Sequence, residues 1–208
     1  MKGWCWLQPL VLAGLGALGM GCTVGDGEGQ VKSDRLYIQG CWNGPFDLVP
    51  DFFAANPYRQ EALLIRVQRG DNNQEASDGL TVVVTDLDAI RARLGQPIPV
   101  GLPPGVAPPG QPFSGGPAPL VSLSLYLHQT CHEQNGTTYS VGGDITFHSI
   151  FSGDLNEEDT DARFTDAEFA VDFADPREQV STDAPDVSLV EGGFQFFFQR
   201  GQPAQPFQ

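Results

Sequence analysis

Apolar and polar positions alternate with a period of two through most of the chain beyond Arg35. In "LVSLSLYLHQTC", Val121, Leu123, Leu125 and Leu127 share one face, and Ser122, Ser124, Tyr126 and His128 the other. "AEFAVDFAD" sets Phe169, Val171 and Phe173 against Glu168, Ala170 and Asp172. "GFQFFFQR" sets Phe194, Phe196 and Phe198 against Gln195, Phe197 and Gln199. The pattern recurs in "RLYIQGCW", "EALLIRVQ", "LTVVVTD" and "GDITFHSIF". Such alternation marks antiparallel strands with one face buried. Turn-rich connectors separate them: "RGDNNQEASDG", "EQNGTTYSVGGD" ahead of Ile145, and "SGDLNEEDTD" after Phe151. The pattern predicts an all-β fold, an antiparallel β-sandwich.

Two segments break the alternation. "TDLDAIRARLG" predicts one short helix, with Asp86 as N-cap, Asp88 in the first turn, Leu87, Ile90 and Leu94 on one side and Gly95 as the stop. Pro97 to Leu120 carries nine of the 17 prolines and five glycines. Proline cannot donate to a ladder, so this stretch reads as a long Pro/Gly-rich loop over 97–120.

The N-terminus has a different logic. Leu10 to Gly21 is uncharged and apolar or glycine. As a helix, such a run spans about 18 Å, short of the roughly 20 apolar residues a bilayer core requires. It reads as the apolar region of a secretory signal over 1–21. Thr23 to Ser33, "TVGDGEGQVKS", is polar and Gly-rich, and is expected to form a flexible tether over 22–34. Residues 35–208 then form a single domain with a real core.

"GMGC" at 19–22 resembles the bacterial lipoprotein box, in which small residues precede a cysteine that is lipidated and becomes the first residue. Gly19 stands where the box usually has Leu, and Leu18 lies one place earlier. The resemblance implies cleavage before Cys22, lipidation there, and a membrane held through that anchor. Thr23, not Asp, follows the cysteine, which implies sorting to the outer membrane. "LYIQGCW", "GDITFHSIF", "AEFAVDFADPR" and "GGFQFFFQRGQP" are similar to stretches of the lipoproteins of about 200 residues common in myxobacteria. Those families have no assigned activity, so no catalytic residue carries over.

Export changes the reading of the cysteines. Past Cys22 only Cys41 and Cys131 remain, an even pair expected to form one disulfide. Charge changes the reading of partners. The net charge of −15 argues against nucleic acid, whose phosphates require clustered Lys and Arg. Beyond the signal the chain has one lysine, Lys32.

Candidate chemistry is sparse. "HQTCHE" holds the ligand types His128, Cys131, His132 and Glu133, but a disulfide would take the thiol, and the histidines lie about 13 Å apart on an extended strand. "GDLNEEDTDA" spaces Asp154, Asn156, Glu158 and Asp161 in the manner of oxygen-ligand calcium loops, without the central glycine of an EF-hand. These are weak calcium candidates beside the simpler reading of a solvated turn. Trp42, Phe46, Phe52, Phe53 and Tyr58 either close one open end of the core or form a sugar-stacking platform. GxSxG, Walker and dinucleotide glycine patterns are missing. The expectation is a non-catalytic cell-envelope lipoprotein acting through protein contacts, needing no cofactor. The alternative is a carbohydrate- or calcium-binding module, with polysaccharide as the partner in the first case.

Overall fold

The computed structural model describes residues 27–58, 62–70, 77–108, 117–133, 136–154, 163–177 and 187–198. Among these, the elements run β1 (Gly27–Ile38), β2 (Trp42–Leu48), β3 (Phe52–Tyr58), β4 (Ala62–Arg69), β5 (Asp78–Val84), α1 (Leu87–Arg91), β6 (Pro97–Gly101), β7 (Val121–Leu127), β8 (Thr137–Ser149), β9 (Phe164–Ala174) and β10 (Ser188–Phe197). The all-β expectation holds. The ladder, however, is continuous, in the order β2-β1-β10-β9-β8-β6-β7-β5-β4-β3. One curled ten-stranded sheet, a half-barrel, stands where a two-layer sandwich was expected.

The curl follows from local sequence. β8 pairs with β7 through Thr137–Tyr139 and with β6 through Asp144–Thr146, so one strand serves two neighbours. Its register shifts between Ser140 and Gly142, and Gly143 has φ +91°, open to glycine and strained for other residues. The two edge strands, β2 and β3, are consecutive in sequence, with only Val49–Asp51 between them. Across the interior, Phe53 of β3 stacks on Phe196 of β10 with ring centroids 5.8 Å apart. The alternating apolar residues of all strands thus share one concave core, which includes Val31, Ile65, Leu123, Phe147, Val171 and Phe196.

Three sequence boundaries move. The expected tether is ordered from Gly27 onward, as β1 pairs with both β10 and β2. Composition concealed this because the inward positions of β1 include glycines. A Cβ at Gly29 would lie 3.1 Å from Phe194 Cβ, so the phenylalanines of β10 fill the space that apolar β1 residues would otherwise take. The strand expected near Ile145 begins at Thr137. The expected loop over 97–120 opens as strand β6, with Ile98 and Val100 buried between outward prolines. Pairing of β6 with β7 starts only at Val100, past both prolines, so their missing N–H groups cost that ladder nothing.

The helix forms as expected but shorter. The Asp86 side chain accepts a hydrogen bond from Ala89 N at 2.9 Å, Leu87 and Ile90 are buried, and Gly95 has φ +74°. Leu94 falls beyond the last turn and is exposed, so it does not join the packed side.

Candidate functional site

The clearest opening in the sheet lies where β1 leaves β10. The two pair from Gly27↔Phe196 to Lys32↔Glu191, and β10 then continues on β9 alone to Ser188↔Phe173. β1 shifts register between Ser33 and Leu36 and turns away with β2. Side chains bridge the gap. Ser33 Oγ donates to Leu189 O at 2.6 Å, and Tyr37 N donates to Ser188 Oγ at 2.9 Å. Between the strands lies an open groove of about 420 Å³. Lys32 and Arg35 give it positive charge, Asp34 and Glu191 negative charge, and Tyr37, Val187 and Leu189 an apolar wall.

The foot of the opening is fixed by a buried carboxylate. Asp175 is fully buried and accepts hydrogen bonds from Gln39 N at 2.9 Å and Arg177 N at 2.9 Å. Arg177 Nη2 also donates to it at 2.6 Å and to Gln39 O at 3.1 Å. Burial alone would push the Asp175 pKa up. The Arg177 and Gln39 hydrogen bonds outweigh it and hold the carboxyl below its ordinary value. The same bond to Asp175 holds the Arg177 guanidinium above its ordinary value.

The groove continues over the outer face of β8, β9, β10 and β1. A trough of about 520 Å³ runs across Gly192 and Gly193, flanked by Asp144, Glu168, Glu191 and Lys32. A third hollow of about 420 Å³ follows, with Glu28, Asp166, His148 and Gln195 at its sides. Glycine makes the floor: Gly193 pairs with Gln30 and Glu168 on the outward side, and a Cβ there would lie 3.8 Å from Glu168 Cα. His148 Nε2 lies 3.6 Å from Glu168 Oε1, with both side chains well exposed. The trough is a shallow, negatively charged surface, suited to cationic side chains of a partner. The alternation in β9 foretold the outward Glu168, one of these acids. The groove itself depends on the β1 register shift, which leaves no mark in the sequence.

The sequence candidates fare differently. Cys41 and Cys131 are joined as a disulfide with Cα atoms 5.6 Å apart, linking the β1–β2 turn to the β7–β8 turn. Asp78 positions Cys131 by capping its turn, accepting from Gln129 N and Thr130 N, each at 3.0 Å. The His128 ring lies tilted beside Tyr126 with centroids 5.0 Å apart, and His132 lies beside Glu133 in solvent. Among the described residues, no three of His, Cys, Asp and Glu converge as a metal site. Asp154 is exposed, its N–H donating to Ser152 Oγ at 3.0 Å. Asn156, Glu158 and Asp161 lie outside the described residues, as do Cys22 and residues 1–21.

Of the aromatic stretch, Phe46 and Phe53 join the core, Trp42 packs against it half-buried, and Phe52 is buried on the outward side opposite Gln68. Phe46, Phe52 and Phe53 are buried, and Trp42 meets Phe46 edge-on at 6.0 Å. The side chain of Tyr58 lies outside the described residues. Comparison with protein-family models, with curated proteins and with solved structures found no match.

Proposed function

We propose that the protein is a non-catalytic lipoprotein of the cell envelope, held on the outer membrane by a lipidated Cys22 and acting through contact with another protein. The contact surface is the outer face of β8, β9, β10 and β1, together with the groove beside Lys32. One observation carries this choice of surface. Exposed Glu28, Asp144, Glu168 and Glu191 ring a glycine-floored trough in which Lys32 is the only Lys or Arg. A face of this sign steers a cationic partner to it and repels acidic ones. The disulfide fits an exported chain.

The test is site-specific crosslinking in intact envelopes. A photo-reactive residue replaces exposed Ala170 in one strain and exposed His132, on the turn between β7 and β8, in another. The expected result is a discrete protein adduct from position 170 only, lost when Asp144→Asn, Glu168→Gln and Glu191→Gln are combined. Equal adducts from both positions, or an adduct indifferent to the neutralised face, would overturn the proposal. Retention of the purified protein on polysaccharide without any adduct would favour the carbohydrate-binding reading. A melting temperature raised by calcium and restored by chelator would favour the calcium-binding one.

A further inference from the structure

We propose that the Gly27 end of the sheet rests against the bilayer, with Phe164 and Phe197 seated in the lipid interface and the groove beside Lys32 held away from it. This inference rests on the acylation of Cys22. Gly27 lies five positions after Cys22, so the start of β1 lies within about 18 Å of the anchor however that segment runs. Gly27 pairs with Phe196, and the next residue of β10 is Phe197. Phe197 is 42% exposed and faces outward. Its cross-strand partner is Phe164, and the two rings lie 4.8 Å apart. An exposed Phe197 packed on a half-buried Phe164 is therefore tethered next to the point of the fold that the anchor holds at a membrane. Aromatic side chains at such a level seat in the headgroup zone.

Charge keeps the outer face off the membrane. The rest of that face carries Glu28, Asp166, Glu168 and Glu191, which anionic headgroups repel. The molecule therefore does not lie flat on that face. The short link from Cys22 to Gly27 selects the Phe164–Phe197 end, where exposed Asp154 follows β8. The other exposed apolar pair, Val187 and Leu189, sits at the opposite end of β10. Leu189 is eight residues from Phe197, about 27 Å along the strand. Trp42 pairs with Ile38, at the end of β1 remote from Gly27, and serves as an internal reference.

The experiment uses full-length protein purified from envelopes and reconstituted in vesicles of phosphatidylcholine with brominated acyl chains. Three forms are compared: wild type, whose reporter is Trp42, Phe197→Trp and Leu189→Trp. Intact mass first establishes the acyl group on each. The expected result is that Trp at 197 loses roughly half its fluorescence to the bromine, while Trp at 189 and Trp42 lose little, as fits a residue seated 5–10 Å into the interface. Phe164→Trp is a second reporter should Phe197→Trp fail to fold. Acylated protein in which position 197 is quenched no more than position 189 overturns the seating and leaves the anchor intact. Protein without an acyl group overturns the anchor, and the seating with it.

Discussion

Along β8, β9, β10 and β1 the outward positions include Asp144, Glu168, Glu191 and Glu28, all exposed. Along β3, β4, β5 and β7 they include Ala54, Gln68, Thr81 and Tyr126, which are neutral and largely buried. Both sets alternate with core residues of one continuous sheet, so the alternation alone does not distinguish them. In the second half Tyr126 lies across Gly79 and donates to Gln68 Oε1 at 3.0 Å. Glycine is required beneath it, because a Cβ at Gly79 would stand 2.8 Å from Tyr126 Cζ. The Arg66 guanidinium is pushed down in pKa by burial in the same patch, and Ser122 Oγ is buried without a hydrogen-bond partner among the described residues. One half of the sheet thus presents charge to solvent, and the other withdraws polar groups from it. Polarity on the outward side of a strand does not by itself mean exposure.

The contrast is broken most directly by placing one carboxylate in each half. Gln68 is 1% exposed. Gln68→Glu is expected to cost at least about 3 kcal/mol at neutral pH, because it buries a carboxylate and loses the bond that Gln68 Nε2 donates to Gly70 O at 3.1 Å. Ala170→Glu, on the acidic face, should stay within about 0.5 kcal/mol. Urea denaturation of both variants checks the pair, and equal costs would remove the distinction between the halves.

A smaller effect is expected at Asp175, below the groove of the charged half. Its folded pKa lies under its unfolded value, so its contribution is present above the ordinary carboxylate range. That contribution disappears as pH falls through the folded value. Asp175→Asn should destabilise the protein by about 2 kcal/mol at neutral pH. The gap to wild type should close in acid, as followed by the urea midpoint across pH.

The smallest effect is optical. Burial, the largest cause, raises the Tyr126 pKa to about 12. A raised pKa gives stability that is complete below the unfolded value near 10 and is lost as pH rises through the folded one. Absorbance at 295 nm should show a tyrosine step near 12 that Tyr126→Phe removes. A Tyr126 step near 10 in the folded protein would mean that the ring is solvated, and the neutral half would then be open.

Much of this was legible in the chain. Period-two runs located β4, β5, β7, β9 and β10, and Asp86 and Gly95 marked the helix. The missed elements have two physical causes: a partner far away in sequence, and prolines inside the strand. Residues 27–33 look unable to bury surface, yet Phe194 and Phe196, more than 160 positions on, supply the apolar volume. Prolines disguised β6, although they stand clear of its β7 ladder. Pro45 and Pro57 obscured β2 and β3, but both are edge strands, where proline is tolerated and discourages further pairing. A single sheet was read as a sandwich because alternation reports which face is buried and not which strand closes the layer. Of the candidate site, only the outward Glu168 was visible in sequence, since Glu28 was hidden in the expected tether. The groove was not, since it arises from a register shift between Ser33 and Leu36.

The most direct test of the proposed envelope role is the mass of the N-terminal peptide of protein isolated from its native envelope. The expected result is a peptide beginning at Cys22 and carrying a diacylglyceryl group. A peptide that begins upstream of Cys22, or begins there with a free thiol, would contradict it, and with it the orientation of the acidic face and the groove relative to the membrane.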